Sequence, residues 1–253
     1  MPELSLKLPD DWYQLHLEST DSTMLQLRKP ELLAHEKEFV LVTTDYQTAG
    51  RGQKGTSWEA DAGANLLFGL TFHPSSVPAS RQFALSEILA LAVADALRNY
   101  ADDISIKWPN DIYWKDRKIC GMLLEHDLCG NQISTTLTGV GLNVNQAAFH
   151  SDAPNPVSLR QIVGHDINRD ELLLLILQLF TAYYRHLQAG LYDEIHQTYM
   201  DHLYRRHGLY TYQDDIGTFR ARIVDISPLG VLTLLQEDGT EHSYAFKEVS
   251  YII

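Results

Sequence analysis

The apolar positions of this chain change period along its length, and each change marks an element. Phe39-Val40-Leu41-Val42-Thr43-Thr44 is rich in β-branched residues and predicts a strand that opens into a loop from Asp45 to Trp58. A second strand is expected over Asn65–Phe72, ended by His73-Pro74. Leu85, Ile88, Leu89, Ala92, Val93, Ala96, Leu97 and Tyr100 then follow steps of three and one, the stripe of an amphipathic helix, with Ser80 placed to cap it. Ile104–Lys107, Ile112–Trp114, Cys120–Glu125 and Ile133–Asn143 read as neighbouring strands. Upstream, Asp21-Ser22-Thr23 caps a short helix over Met24–Arg28 that Pro30 is expected to stop. Downstream, the Pro- and Asn-rich stretch Ser151–Val157 leads into helical sequence. There Asn168 and Glu171 suggest a capping box before Leu172–Leu187, Gly190 ends that helix, and another is expected over Tyr192–Arg206.

After His207-Gly208 the pattern shortens. Phe219–Ile226, Val231–Gln236 and Glu241–Phe246 predict small strands joined by Ser-Pro-Leu-Gly and Glu-Asp-Gly-Thr turns. The expected fold is α/β (α+β): a mixed-sheet unit over residues 1–206 and a small all-β unit over 207–253, packed on the first.

Length and charge narrow the partners. With 253 residues the chain accommodates one large domain, or one large and one small. Twenty Lys+Arg against 33 Asp+Glu leave a net charge of −13, which argues against a partner gripped by its phosphate backbone, so no DNA binding is expected. Two cysteines supply neither a disulfide framework nor a four-thiolate metal site. Cys120 reads as a buried small residue and Cys129, beside Gly130, as a turn thiol. His196, His202 and His207 are spaced by six and five, so they do not share a helix face as zinc ligands. No secretory leader and no apolar run of membrane-spanning length is visible, and a soluble, cytoplasmic protein without a membrane partner is expected.

Within this acidic chain, three stretches carry candidate chemistry, the first two with positive charge and the third with glycines. Tyr46–Trp58 sets Arg51 and Lys54 among Gly50, Gly52 and Gly55, with no acid from Tyr46 to Ser57. Glycine-rich backbone with free N–H groups and two cations suits a phosphate or carboxylate, and Trp58 could cover an aromatic base. The glycine spacing also fits an ordinary surface hairpin; it is neither a P-loop nor a dinucleotide fingerprint. Lys107-Trp108-Pro109-Asn110-Asp111 follows, then Asp116-Arg117-Lys118-Ile119-Cys120-Gly121. Trp-Pro imposes an extended approach to a turn, Lys107 is a point charge, and Asp111 is a carboxylate able to hold Mg²⁺ or orient an amine. By itself Asp116–Lys118 fits a solvated turn equally well. The third stretch is Gly139-Val140-Gly141-Leu142-Asn143, where glycines in a strand mark close approach of a ligand or another backbone.

GRG-x-x-G, KWPND, DRK-x-x-G and G-x-G-x-N in this order, after Asp21-Ser22-Thr23, resemble the biotin–protein ligases from about Ser19 to Asn145. Gly217–Ser250 more faintly resembles that family's SH3-like C-terminal β-barrel. The resemblance implies ATP and biotin as substrates with Mg²⁺. It implies formation of biotinyl-5′-AMP, then transfer of biotin to a lysine of a biotin carboxyl carrier protein domain. It places Ser22, Thr23, Met24, Gln47, Gly50, Arg51, Gly52, Gln53, Lys118 and Gly121 around biotin. Arg51, Lys54, Trp58, Lys107, Asn110 and Asn143 fall around the nucleotide. Arg51, Lys107, Asp111 and Lys118 become the residues of the chemistry, with Asp111 a candidate Mg²⁺ ligand.

Two positions depart from relatives with Asn after the Ser-Thr pair and Arg within the glycine loop: Met24 and Gln53 stand there. About 20 residues precede Asp21, too few for a helix-turn-helix unit, so the single-function type without a DNA-binding domain is expected. A sheet edge able to pair across a two-fold axis leaves a homodimer open. A lipoate–protein ligase and a non-catalytic biotin sensor are the competing readings; retention of Arg51, Lys107, Asp111 and Lys118 argues against the sensor.

Overall fold

Two sheets organise the described residues, which are 8–50, 52, 58–151 and 153–253 of a computed structural model. The larger sheet is built from β1 (Trp12–Thr20), β2 (Phe39–Gln47), β3 (Leu66–Phe72), β4 (Ile104–Lys107), β5 (Asp111–Trp114), β6 (Arg117–Cys129) and β7 (Gln132–Leu142). Its order is β1-β2-β3-β7-β6-β5-β4. β1 and β2 run parallel and the other neighbours antiparallel, so the sheet is mixed.

Its two faces do different work. Leu66, Phe68, Leu70 and Phe72 of β3 alternate onto one face, where they pack with the long helices α3 (Phe83–Arg98) and α5 (Arg169–Gln188) in the main core. Phe39, Phe72, Phe180 and Tyr184 interlock there with ring centroids 5.2–6.1 Å apart. The opposite face is covered only in part, by the short helices α1 (Thr23–Leu27) and α2 (Pro30–Leu33), whose Met24, Leu27 and Leu32 meet Val40, Val42 and Leu137 in a second cluster. The uncovered remainder of that face is where the charged motifs converge.

The C-terminal sheet contains β8 (Tyr210–Gln213), β9 (Thr218–Ile226), β10 (Leu232–Gln236), β11 (Glu241–Tyr244) and β12 (Ser250–Tyr251), ordered β11-β10-β9-β8-β12 and antiparallel throughout. Trp108 Nε1 donates to Gly230 O at 3.0 Å, and Phe83 N donates to Pro228 O at 3.2 Å. The 227–230 turn is thereby fixed to the first sheet's turn and to the start of α3.

Several element ends differ from the sequence expectation. Pro30 does not merely end α1; it starts α2, where a missing N–H costs nothing. Gln82 rather than Ser80 occupies the cap position of α3, after a 3₁₀ turn at Ala79–Arg81. Asn168 caps α5 by accepting from Asp170 and Glu171 N–H, but Glu171 returns to the Asn168 side chain, not its backbone. The reciprocal capping box lies instead at Ser158 and Gln161, opening α4 (Leu159–Val163). The helix expected over 192–206 ends early: α6 is Tyr192–Asp201, because Ile106 N donates to His202 O and Tyr204 N to Ile106 O, turning this segment into a seam along β4.

Candidate active site

Strand register assembles the site. Lys107 is paired with Asp111, Asp111 with Gly121, and Gly121 with Gly141, so one transverse row crosses β4, β5, β6 and β7. Directly paired residues project to the same face. Residues 34 positions apart in sequence thus form a line two charges long and two glycines wide, on the incompletely covered face. A shift in register between Ile112 and Tyr113 brings Lys118 opposite Tyr113, and Lys118 Nζ lies 2.7 Å from Asp111 Oδ1 with both side chains partly exposed. The edge beside Lys118 is stitched: Lys118 N donates to Asn155 O at 2.8 Å and Val157 N to Lys118 O at 3.0 Å. The Pro- and Asn-rich stretch therefore clamps the lysine's strand.

The glycines of the row make room for an indole. Trp58 lies over them, and a Cβ at Gly141 would stand 2.5 Å from Trp58 Cε2, one at Gly121 2.9 Å from Cζ3. Lys118 Nζ is 5.7 Å from the Trp58 ring centroid, within cation–π range. Trp58 N donates to Gly50 O at 3.0 Å, closing the base of the glycine loop. Trp58 Nε1 is buried without a hydrogen-bond partner among the described residues, as is Asn143 Oδ1. An orphaned donor and an orphaned acceptor at this end of β7 are what a ligand would satisfy. Asn143 is otherwise anchored, its Nδ2 donating to Val157 O at 3.1 Å.

A polar corner adjoins the row. Gln47, at the end of β2, accepts from Thr23 N–H at 2.8 Å and from the Thr23 hydroxyl at 3.3 Å, capping α1 across the sheet where Ser22 provides no side-chain cap. Ser22 and Thr23 are buried, and Met24 packs its Cγ over Gly139. Asp21 accepts from Ser22 N–H at 2.7 Å and from the Thr20 hydroxyl, which holds its carboxyl below the usual value.

The remaining expected residues are placed differently. Asn110 is buried and donates from Nδ2 to Met122 O at 2.8 Å, bracing the turn before Asp111. Lys107 faces the rings of Tyr113 and Tyr251 at 5.3 and 4.8 Å. Burial pushes its ammonium below the ordinary lysine value, and Asp111 partly opposes that shift. Gly52 is half-buried. Arg51, Gln53 and Lys54 lie outside the described residues. Cys120 is buried in β6, its thiol pushed up by desolvation, and Cys129 is exposed beside the Gly130 turn. Tyr113 and Tyr251 were missed by motif reading; the alternation of β5, which puts Tyr113 two residues after Asp111 on the same face, is a signal that could have found the first.

Among the described residues no three acidic, histidine or cysteine side chains cluster as a metal site. No helix among them is long and apolar enough to cross a membrane.

A sequence model described as the Biotin/lipoate A/B protein ligase family matches residues 16–143. The biotin--[acetyl-CoA-carboxylase] ligase of Paracoccus denitrificans is 32% identical over 180 residues, covering 68% of this chain and 73% of that protein. The bifunctional ligase/repressor BirA of Bacillus spizizenii is 28% identical over 239 residues, 92% of this chain and 71% of that one. Across four such ligase/repressors the chain spans 43–71% of their length. The structure of a biotin protein ligase from Aquifex aeolicus in complex with biotin and ATP superposes with TM-score 0.77 at 25% identity, covering 94% of this chain and 97% of that one.

Proposed function

The chain belongs to the biotin/lipoate A/B protein ligase family, and from that premise we propose that it is an ATP-dependent biotin–protein ligase. It activates biotin as biotinyl-5′-AMP and passes the biotinyl group to a lysine of a biotin carboxyl carrier domain. The observation that carries this reading is the transverse row Lys107–Asp111–Gly121–Gly141 with Lys118 at its side and the Ser22–Thr23–Gln47 corner at its end.

In the first step a biotin carboxylate oxygen bonds to the α-phosphorus of ATP and the α–β bridging bond breaks, releasing pyrophosphate. Two anions must approach, so the barrier is lowered by cations fixed before the reaction begins. Lys118 stands nearest the glycine floor and serves the carboxylate and α-phosphate; Lys107 serves the triphosphate. Trp58 takes the adenine, and Asn143 the ribose or phosphate, each supplying a polar atom that has no partner among the described residues. Ser22, Thr23 and Gln47 hold the biotin ring system. Arg51, Gly52, Gln53 and Lys54 are the residues the family resemblance assigns to biotin and the phosphates. Mg²⁺ would be held by Asp111 together with phosphate oxygens and water, the donor set this ion takes in nucleotide sites, and would neutralise phosphate charge.

In the second step the carrier lysine's nitrogen bonds to the acyl carbon and AMP leaves. That amine must be neutral to attack, and Asp111 accepts its proton. In the resting site Asp111 is tied to Lys118; once Lys118 turns to the phosphate, the carboxylate faces the incoming amine. Residues 1–206 form the catalytic unit and 207–253 the small unit, which works beside it in the cytoplasm. β5 pairs with β6 only across Arg117–Gly121, so the further part of β6 is where the strand of a second copy would add to make a homodimer.

The test is pyrophosphate exchange into ATP with biotin or lipoate as the only carboxylate substrate. Exchange dependent on biotin alone supports the proposal; dependence on lipoate transfers it to a lipoate ligase, and no exchange with either leaves a non-catalytic binder.

A further inference from the structure

Lys107 lies in the transverse row and Lys118 beside it, opposite Tyr113, and the two differ in surroundings. Lys118 has a carboxylate at 2.7 Å. Lys107 presents its ammonium to two aromatic faces, Tyr113 of β5 at 5.3 Å and Tyr251 of β12 at 4.8 Å. The second ring comes from the C-terminal sheet, 144 residues further along the chain.

Tyr251 is held firmly. Its backbone pairs with Tyr212 of β8, and Ile252 N donates to Thr211 O at 3.1 Å. Arg205 Nη1 donates to Ile252 O at 2.8 Å. Its ring meets Tyr212 at 4.9 Å and 62°, and Tyr204 at 6.1 Å; Tyr204 in turn lies 5.3 Å from Tyr113. The Tyr251 hydroxyl is buried and has no hydrogen-bond partner among the described residues. What this residue offers its neighbours is therefore the π face, not the phenol. An ammonium withdrawn from water gains more from such a face than an exposed one, and Lys107 is half-buried, with burial lowering its pKa. Two rings against one ammonium also remove rotamers that a four-carbon stem would otherwise sample.

We infer that Tyr251 is a positioning residue for the reaction: its ring, with that of Tyr113, aims the Lys107 ammonium at the triphosphate, so the C-terminal sheet completes the nucleotide end of the site. This rests on the ligase reading above. It makes the small sheet part of ATP handling and leaves biotin handling to the first sheet.

The experiment uses the full chain and biotin-dependent ATP–pyrophosphate exchange, with ATP and biotin varied separately and thermal unfolding recorded for each variant. Tyr251→Phe keeps the ring and loses a hydroxyl with no hydrogen-bond partner among the described residues, so its rate stays within about twofold of wild type. Tyr251→Leu raises the KM for ATP or lowers the rate by about tenfold with the KM for biotin unchanged. In a Lys107→Ala background the same change adds nothing, because the group it positions is gone. Should Tyr251→Leu fail to fold, phenylalanines at 251 carrying one, two and three fluorines keep the shape while draining the π face, and kcat/KM for ATP falls stepwise along the series. A flat fluorine series, an equal loss in both Lys107 backgrounds, or a change in the KM for biotin overturns the inference. Wild type without biotin-dependent exchange overturns the ligase reading instead, and the two failures are told apart by that first measurement.

Discussion

Asp111 and Lys118 touch in the resting site, yet their weight falls on different halves of the reaction: Lys118 on adenylation, and Asp111, beyond its share in holding Mg²⁺, on transfer. Lys118→Ala removes a cation from the place where charge develops. Adenylate formation is expected to slow by about 10²–10³-fold, the effect of losing one preorganised stabilising group, while thermal stability is retained because the ammonium is partly exposed. Quenched-flow measurement of biotinyl-AMP checks this, and unchanged adenylation refutes the role. Asp111→Asn should slow consumption of the adenylate by a carrier lysine about 10²-fold or more, beyond whatever adenylate formation loses with the Mg²⁺ ligand; equal slowing of both half-reactions would remove Asp111 from proton transfer. At Gly141 a methyl group would stand 2.5 Å from the Trp58 indole, whereas at Gly139 it would meet the flexible Met24 side chain at 2.8 Å. Gly141→Ala should therefore raise the KM for ATP about tenfold or more, and Gly139→Ala should show in the KM for biotin; a reversed pattern would contradict the assignment of the two ends. The sequence marked Lys107, Asp111 and Lys118 through the family resemblance, and strand register brings these three together. Gln47 as the cap of α1 was not legible there, because that hydrogen bond spans 24 residues and depends on where β2 ends.

At the scale of elements, the strands and helices with a strong period were legible: β2, β3, α3 and the core of α5 follow the apolar pattern closely. β1 escaped because it is an edge strand with only partial burial, alternating Tyr13, Leu15 and Leu17 against polar neighbours. β8 and β12 are four and two residues long, too short for periodicity to register. The end of α6 was misplaced because a tertiary seam with β4 overrides helix continuation. One junction of elements carries a pH dependence. His196 of α6 sits between the buried Glu87 of α3 at 2.7 Å and Asp225 of β9 at 3.2 Å. The Glu87 hydrogen bond leads in raising its pKa to about 8. A histidine whose folded value exceeds its unfolded value, near 6.5, stabilises fully below that unfolded value and loses the contribution as pH rises through about 8. The ceiling is about 2 kcal/mol. Urea unfolding at pH 6 and pH 9 should show wild type losing more stability than His196→Gln over this interval. Parallel losses would mean that the junction does not titrate.

For the whole molecule, the balance of 20 cationic against 33 acidic side chains makes the placement of a few lysines decisive. Lys107 pairs with Asp111 in one row, Lys118 reaches the same carboxylate from beside that row, and Trp58 lies over the adjoining glycines. The two-sheet division and the α/β class were visible in the sequence as a change of texture after His207. The row was not, since it exists only once four strands are paired in register. The contribution of Tyr251 to Lys107 was equally invisible, because it joins two sheets whose packing no local pattern encodes. The most direct test of the account is to incubate the protein with biotin, MgATP and a biotin carboxyl carrier domain and to weigh the carrier intact. The account predicts a mass gain of one biotinyl group on a single lysine, dependent on ATP and abolished in the double variant Lys118→Ala/Asp111→Asn. A carrier of unchanged mass, or the same gain from the double variant, would contradict it.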